Sequence, residues 1–341
     1  MKAPGFWYRP PGLAAALLSP LAGLYALAGR RRQAKAAPQD AGIPVLCIGN
    51  LVAGGAGKTP LAQAVMRSLQ ARGIQAHYLS RGYGGRLTGP LRVDPARHGA
   101  ADVGDEPLLL SRSGPAWISA DRLAGARAAR DGGAQALVMD DGFQNPALAK
   151  DLSLLVVDGG AGFGNGQVIP AGPLREPLAA GLARAHGVVI VGQDRLGAAA
   201  QVARLAPALP ILTARLRPDS TVAASIGGRP VLAFAGIGRP SKFFDTCREL
   251  GLTLTETVPF PDHHPYTGAE ITRLLGRAGA LSAVPLTTEK DWVRLPAGHQ
   301  GAIKALPVVL DFDDPGALER VLDTLFRGHP VPGMVIEKPV H

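Results

Sequence analysis

Residues 49–60, GNLVAGGAGKTP, decide the fold because they combine several glycines with a Gly-Lys-Thr ending. That ending matches the nucleotide-binding pattern G-x-x-x-x-G-K-[ST], although Val52 stands where the pattern has its first glycine. The apolar run at residues 43–48 predicts a buried strand before the loop, and the residues after it predict a helix. Between a strand and a helix, backbone N–H groups and the helix N-terminus can meet phosphate oxygens. The stretch therefore predicts a phosphate-binding loop, with a simple glycine-rich turn as the alternative.

Side chains in and near this loop have the chemistry that a nucleotide and its metal need. Lys58 supplies a mobile cation for the β- and γ-phosphates, and the Thr59 hydroxyl can ligate Mg²⁺. Such a loop also needs a carboxylate on a neighbouring strand, and Asp140 and Asp141 directly follow the apolar residues 136–139. We therefore predict a Mg²⁺-assisted nucleotide site, while the alternative for the two aspartates is a turn after the strand.

The chain alternates short β-branched runs with helical stretches after residue 43, which is typical of a parallel α/β sheet. Its 341 residues are enough for about two domains. A polar stretch with Pro and Gly at residues 217–229 interrupts the alternation, which then restarts. We predict three parts: an N-terminal segment (1–35), a core like that of P-loop nucleotide hydrolases with helices on both faces of a parallel sheet (36–220), and a smaller α/β domain (221–341).

The charge of the chain limits its possible partners. A net charge of +9 favours a phosphorylated substrate, an anionic membrane surface or nucleic acid. Aromatic residues make up only 5% and do not interleave with basic runs, so we expect no nucleic-acid partner. Cys47 and Cys247 form no C-x-x-C pair, which argues against a disulfide scaffold or a zinc site and fits a reducing cytoplasm.

The N-terminal segment is basic and apolar. It has no acidic residue before Asp40, and residues 10–29 are uncharged between basic flanks. A spanning helix needs roughly 20 apolar residues, and here Pro20 and Gly23 interrupt the run. A signal peptide is disfavoured by the three arginines at residues 30–32. We predict a helix that lies on an anionic membrane surface, with a helix packed on its own domain as the alternative.

Two short turns are further candidates for chemistry. Residues 104–107, GDEP, hold two adjacent carboxylates, and phosphoryl transfer to an alcohol uses a carboxylate near the acceptor hydroxyl. Helix capping is an equally good interpretation of that turn. Residues 261–265, PDHHP, contain only two histidines and one acid, a poor ligand set for a metal, so an exposed loop is the alternative there.

Taken together, these motifs resemble those of the tetraacyldisaccharide 4′-kinase family, which acts in lipid A biosynthesis. The matches occur in family order as far as about residue 291. They are residues 49–51 and 54–60 of the loop, 80–85 (SRGYGG), 103–107 (VGDEP), 140–144 (DDGFQ), 172–177 (GPLREP), 262–263 (DH) and 287–291 (TTEKD). The combination is specific, although each motif alone is moderate. Val52 departs from the generic nucleotide-binding pattern but not from the family's loop, which resembles the form seen here.

The resemblance implies an enzyme that transfers the γ-phosphoryl group of ATP, assisted by Mg²⁺, to the 4′-hydroxyl of a tetraacyldisaccharide 1-phosphate, giving lipid IVA. The implied partners are this acylated glucosamine disaccharide phosphate lipid and the anionic membrane surface. The implied location is the cytoplasmic face of the bacterial inner membrane, and the active site would lie between the two domains.

The resemblance also implies roles for individual residues. Asp105 would be the general base for the sugar hydroxyl, paired with His263 from the second domain, which is chemically reasonable because a base needs a partner to orient it. The metal side would consist of Thr59, Asp140 and Asp141. ATP would be bound by Val52, Ala53, Gly54, Gly55, Ala56, Gly57, Lys58 and Thr59. Other active-site residues would be Arg81, Glu106, Gln144, Arg175 and Glu176.

Three other kinds of protein remain as alternatives. A nucleotide switch would need a guanine-reading motif, and residues 288–291, TEKD, imitate one only faintly because the lysine stands one position late. A ligase that forms an acyl phosphate does not need the membrane-seeking N-terminus. A structural protein with an inactive loop does not need Lys58, Thr59 and Asp140 to be intact. A requirement for an acceptor hydroxyl would distinguish the kinase from the switch.

Overall fold

The computed structural model describes residues 3–54 and 57–326, and it contains a large and a small β-sheet. In chain order the described helices are α1 (Leu13–Lys35), α2 (Lys58–Ala71), α3 (Ala100–Val103), α4 (Asp105–Leu110), α5 (Arg122–Asp131), α6 (Leu178–Leu182), α7 (Ala198–Leu205), α8 (Ser220–Ile226), α9 (Pro240–Glu249), α10 (Gly268–Ala280), α11 (Glu289–Trp292) and α12 (Ala317–Phe326). The strands are β1 (Val45–Gly49), β2 (Ala76–Ser80), β3 (Leu91–Arg92), β4 (Ala116–Ile118), β5 (Ala136–Asp140), β6 (Leu152–Asp158), β7 (Gly187–Val191), β8 (Ile211–Pro218), β9 (Val231–Ala235), β10 (Leu254–Pro259), β11 (Val284–Thr288), β12 (Lys304–Leu306) and β13 (Val308–Phe312).

The large sheet has the strand order β13-β8-β7-β6-β1-β5-β2-β4-β3. All neighbouring pairs are parallel except β13 with β8 and β3 with β4, the two pairs at the edges. In register, Ile48 lies beside Asp140 on one side and Leu154 on the other. This pairing brings the carboxyl ends of β1 and β5 together, which is where parallel α/β sheets place their ligands. The predicted α/β class with a mostly parallel sheet is confirmed.

Helices cover both faces of the large sheet because its central strands are apolar on both sides. Leu46 and Ile48 of β1 pack with α2, α4 and α12, whereas Val45 and Cys47 pack in the opposite layer with α1, α5, α6 and α7. Every residue of β1 and β5 is buried. The sheet is therefore a rigid platform, and its loops at the carboxyl edge carry the polar side chains.

The smaller sheet has the order β10-β9-β11-β12 and is parallel throughout. Alternate residues of β9 pack against α9 on one face and α10 on the other. The sequence-based division assigned all of residues 221–341 to this second unit. In the structure the smaller sheet ends with β12, and β13 returns to pair antiparallel with β8 of the large sheet. The alternation of strands and helices does not reveal which sheet edge a strand joins.

Helix α12 follows β13 back to the large sheet and packs beside α2. Its apolar side chains, among them Leu322 and Leu325, belong to the same cluster as those of α2. Glu319 accepts hydrogen bonds from Ser68 and Arg72 of that region, which fixes the helix laterally. The large unit is thus completed by the last described residues of the chain.

Helix α1 lies against the large unit by its small residues and presents its large ones outward. Ala15, Ala22 and Ala26 are buried, whereas Leu17 is 79% and Leu24 is 64% exposed. By length and composition alone the helix is long and apolar enough to cross a membrane. Both sequence interpretations thus have support: one face packs on the protein, and the other is an apolar surface without protein cover among the described residues.

Candidate active site

The loop after β1 is shaped by one buried amide. Asn50 follows the strand, and its Nδ2 donates to the carbonyl oxygens of Val52 at 2.6 Å and Gly54 at 3.0 Å. Gly57 then has a φ of 85°, a left-handed conformation that glycine adopts without steric cost, directly before α2. Lys58 and Thr59, in the first turn of α2, are buried. Gly55 and Ala56 of the predicted nucleotide site lie outside the described residues.

Val52 does not need to be glycine because its backbone is extended. It forms an antiparallel bridge with Leu174, and it does not have a positive φ. Next to it, the Ala53 N–H donates to the carbonyl of Pro173 at 2.8 Å. The start of the loop is therefore held by the GPLREP segment, residues 172–177, and not by a glycine turn.

The two aspartates after β5 have opposite environments. Asp140 is 1% exposed, and neither of its carboxylate oxygens has a hydrogen-bond partner among the described residues. Burial, with the charge of Glu106, raises the pKa of Asp140 to about 7. Burial also acts on Asp141, but there the Lys58 and Arg175 charges outweigh it and lower its pKa. Arg175 donates to Asp141 Oδ1 at 2.9 Å, and Lys58 Nζ lies 3.9 Å from the same oxygen.

The unpaired carboxylate of Asp140 fits a Mg²⁺ ion that is shared with phosphate groups. Mg²⁺ usually takes one or two carboxylates and fills its other positions with phosphate oxygens and water. Thr59 supplies a hydroxyl at the start of α2. Within the described part of the chain, no group of three or more His, Cys, Asp or Glu could hold a metal by itself. The donor set is therefore suited to a metal that arrives with a nucleotide.

Asp140→Asn should stabilise the ligand-free protein and abolish its stabilisation by Mg²⁺ with ATP. The folded-state pKa lies above the ordinary value of 3.8, so the charged carboxylate lowers the free energy of unfolding above about pH 7. This cost disappears as the pH falls through the folded pKa towards 3.8. Thermal unfolding at about pH 8 and about pH 5 should therefore show a larger gain for the variant at the higher pH.

The matched control is Asp131→Asn, because that aspartate is exposed at the end of α5. It should respond to Mg²⁺ with ATP as the wild type does. An Asp140→Asn protein that Mg²⁺ with ATP still stabilises fully would exclude this carboxylate from the metal site.

Asp105 and His263 come from the two units and are in contact across the cleft between them. Asp105 opens α4 next to the large sheet, and His263 lies in the turn after β10 of the smaller one. His263 Nδ1 lies 3.0 Å from Asp105 Oδ2. Asp105 Oδ1 accepts the N–H of Glu106 at 3.1 Å, but the N-cap of α4 is Gly104 and no side chain caps the helix, so the capping interpretation of this turn is not supported. His264 instead pairs with Glu270 at 3.1 Å, away from Asp105.

A second contact across the cleft joins Glu106 to Lys290. Lys290 Nζ lies 2.9 Å from Glu106 Oε1. Burial by itself would lower the pKa of Lys290, but the charges of Glu106, Asp105 and Asp140 outweigh it and raise that pKa. Two carboxylates of α4 thus face residues from the smaller sheet.

The remaining predicted residues form a polar chain beside the loop. Arg175 donates to Gln144 Oε1 at 3.3 Å, and Gln144 Nε2 donates to the Asn50 carbonyl at 3.1 Å and to Glu176 at 3.2 Å. Gln144, Arg175 and Glu176 also line a cavity of about 400 Å³, whose other wall is the end of α1. Arg81 is not part of this hydrogen-bonded group of side chains, and it is exposed beyond the end of β2.

Some residues at the site were given no role in the predictions from the sequence. Lys290 lies in the TTEKD motif, but no role was assigned to it. Arg122 is buried at the start of α5 and donates to the Ser119 carbonyl, while its Nε has no partner among the described residues. Burial, with the charge of Arg81, lowers the pKa of Arg122. Arg294, which follows α11, lies 3.5 Å from Asp105 Oδ2.

A family model described as tetraacyldisaccharide-1-P 4′-kinase matches residues 14–327 of the chain. The chain belongs to this kinase family. Two tetraacyldisaccharide 4′-kinases show the extent of the similarity. The protein of Rhodospirillum centenum is 59% identical over 332 residues, covering 96% of this chain and 98% of the relative. The protein of Rhodospirillum rubrum is 54% identical and covers 96% and 99%, respectively.

A solved structure of the tetraacyldisaccharide 4′-kinase family has the same fold. It is LpxK from Aquifex aeolicus, crystallised in complex with ATP. Its TM-score is 0.73 at 24% sequence identity, and the match covers 92% of this chain and all of the other. Because the match covers 92% of this chain, the likeness of fold is not confined to one part of it.

Proposed function

We propose that the chain is an ATP-dependent kinase that phosphorylates the 4′-hydroxyl of a tetraacyldisaccharide 1-phosphate, giving lipid IVA. The observation that carries this proposal is the Asp105–His263 hydrogen bond of 3.0 Å, formed across a cleft that also holds a phosphate-type loop. Phosphoryl transfer needs the acceptor hydroxyl, a base and the phosphate-binding groups to converge on one point. The family membership specifies which alcohol is the acceptor.

The donor side of the reaction consists of the loop and the two aspartates. The ATP complex of the Aquifex aeolicus protein supports ATP as the donor. Lys58 would contact the β- and γ-phosphates, and Asp141 with Arg175 would orient that lysine through the contact at 3.9 Å. Thr59 and Asp140 would hold Mg²⁺, which when bound neutralises the charge that develops on the phosphates.

The acceptor side of the reaction consists of the acid–base pair. Asp105 would accept the proton of the 4′-hydroxyl as the hydroxyl oxygen bonds to the γ-phosphorus, while the bond from that phosphorus to the β-phosphate oxygen breaks and ADP leaves. His263, with a hydrogen on Nδ1, would donate to Asp105 Oδ2 and direct the carboxylate. Water must be kept from the γ-phosphate, and the Glu106–Lys290 pair holds the two sides of the cleft together at this point.

The lipid substrate would reach the site along α1. The leucine-rich face of that helix is exposed, and its last turns carry Arg30, Arg31, Arg32 and Lys35. An apolar face with adjacent cations suits the interface of an anionic membrane. The cavity of about 400 Å³ joins the end of α1 to Gln144 and Arg175. We place the protein on the cytoplasmic face of the inner membrane, where ATP is available.

Replacing both Leu17 and Leu24 with aspartate should release the protein from vesicles of anionic phospholipid. Each substitution puts a charge on the exposed apolar face, and the two sites are 79% and 64% exposed, so the fold should tolerate them. Co-sedimentation with vesicles measures the bound fraction. The control is methionine at the same two positions, which keeps the face apolar and should leave binding intact. Unchanged binding of the aspartate variant would mean that another surface holds the membrane.

Transfer of label from γ-labelled ATP tests the proposed function directly. The purified protein is incubated with Mg²⁺ and labelled ATP, with and without tetraacyldisaccharide 1-phosphate in detergent micelles. The expected result is label in the lipid. Hydrolysis of ATP without any labelled lipid would instead favour a nucleotide switch.

A further inference from the structure

Arg294 is a buried cation beneath the turn that presents His263. Its side chain is only 6% exposed. Its Nε donates to the Lys290 carbonyl at 2.9 Å, and its Nη1 donates to the Gly236 carbonyl at 3.0 Å. The same Nε lies 3.5 Å from Asp105 Oδ2, on the opposite side of the cleft. Arg294 therefore belongs to the smaller unit and reaches the large one.

Arg294 and His263 contact two of the same oxygen atoms. The Gly236 carbonyl accepts the backbone N–H of His263 at 3.0 Å as well as the guanidinium. Asp105 Oδ2 faces the His263 ring at 3.0 Å as well as Arg294 Nε. The backbone and the ring of His263 are thus each bonded to an oxygen that Arg294 also contacts.

A buried network fixes the guanidinium in place. Asp291 is fully buried, and its Oδ1 accepts from the Gly236 N–H at 2.9 Å and from the Tyr266 hydroxyl at 2.7 Å. Arg294 Nη2 lies 3.3 Å from the same oxygen. The approach is close enough that a Cβ on Gly236 would lie 3.1 Å from Asp291 Oδ1. Contacts within the smaller unit therefore fix the position of Arg294 without any contribution from Asp105.

The turn of His263 needs such support. His263 has a φ of 57°, a conformation that is strained for a residue other than glycine, and its side chain is 53% exposed. Its own packing therefore does little to hold the ring in place. Asp105, in contrast, is buried, and a nearby cation balances its charge.

We infer that Arg294 is a positioning residue for the Asp105–His263 pair, an inference that rests on the kinase function proposed above. Its planar guanidinium donates to the Lys290 and Gly236 carbonyls of the smaller unit while its charge lies 3.5 Å from Asp105 across the cleft, a combination that a single-point cation cannot provide. It orients the carboxylate and the imidazole relative to each other without touching the substrate. Small errors in such an alignment are costly to the rate of the chemical step.

Arg294→Met should lower kcat by about 10- to 100-fold and leave KM for ATP almost unchanged. Arg294→Lys retains the charge without the fork and should recover part of the loss. The matched control is Arg112→Met. Arg112 is exposed and lies over the Trp292 ring of α11 at 4.2 Å, but among the described residues it has no hydrogen bond or ion pair to Asp105 or His263. This control should retain the wild-type kcat.

A double variant separates positioning from general stability. If Arg294 acts through the pair, Arg294→Met combined with His263→Ala should be no slower than His263→Ala alone, because the partner is already lost. Losses that multiply, or a loss that follows weaker ATP binding, would overturn the inference. An unchanged kcat in Arg294→Met would do the same.

Stability and the wild-type reaction are checked in the same preparations. Thermal unfolding and ATP binding are measured for each variant, and Arg294→Lys provides the comparison if the methionine variant does not fold. If Arg294→Met does not fold and Arg294→Lys reacts at the wild-type rate, the inference is overturned, because the forked guanidinium would then be unnecessary. A wild type that labels no lipid would instead reject the kinase function itself.

Discussion

Replacing Lys58 with alanine should reduce transfer of phosphate to the lipid by at least about 10³-fold. The side chain is buried at the start of α2, where the loop and the helix N-terminus converge, and it is held near Asp141. The charge that develops on the phosphates would then lose its mobile cation from the loop. The assay is the incorporation of label from γ-labelled ATP into the lipid, with thermal unfolding to confirm that the variant is folded.

The matched control for this variant is Lys304→Ala. Lys304 lies on β12 of the smaller sheet, and within the described part of the chain its Nζ bonds only to the exposed Ser225, so its loss should not change the rate. Near-normal activity of Lys58→Ala would show that residues 49–60 do not bind the transferred phosphate, and the nucleotide assignment would have to be abandoned.

Asp105→Asn should lower kcat by roughly 10²- to 10⁴-fold while ATP binding survives. Asparagine keeps the shape of the side chain, and its amide can still face His263, but it cannot accept the hydroxyl proton. ATP binding should persist because Lys58 and Asp140 lie on other elements of the large unit. The loss should therefore appear in kcat and not in KM for ATP.

Two comparisons make the Asp105 experiment specific. His263→Ala should produce a smaller loss in kcat, because the base remains but is no longer oriented. Asp131→Asn, the same substitution at an exposed site, should retain full activity. An unchanged kcat in Asp105→Asn would remove this residue as the base and leave the hydrogen bond to His263 with a structural role only.

The central strands could be predicted from the sequence because each is a short, nearly continuous apolar run. The apolar runs at residues 43–48 and 136–139 contribute to β1 and β5, and the helix predicted after the loop is α2. Strand β8 was missed. Its second half alternates the exposed Arg215 and Arg217 with half-buried residues, and Arg217 begins the polar stretch 217–229 that we interpreted as a boundary. In the structure Arg215 pairs with Asp313, directly after β13, and Arg217 pairs with Asp311 on β13. This charge pairing is visible only in the folded chain.

The candidate site was found through motifs, and its geometry was not available from them. Asp105 and His263 are far apart in the chain, and only the folded arrangement shows their distance. Arg294 has no sequence signal, because its partners include the backbone carbonyls of Gly236 and Lys290, and every residue has a carbonyl. Its role depends on where the smaller sheet docks, which strand and helix periodicity does not determine.

The return of β13 to the large sheet means that the smaller unit is an insertion held by a narrow neck. The chain leaves the large sheet at the end of β8 and re-enters it at the start of β13, and Pro218 and Val308 are direct partners in register. The Asp219 N–H also donates to the Pro307 carbonyl at 2.9 Å, which closes the neck. A short turn could therefore join β8 to β13 as a hairpin. His263 is carried by a lobe that the large sheet does not need for its own connectivity, and the chain enters and leaves this lobe at that one neck.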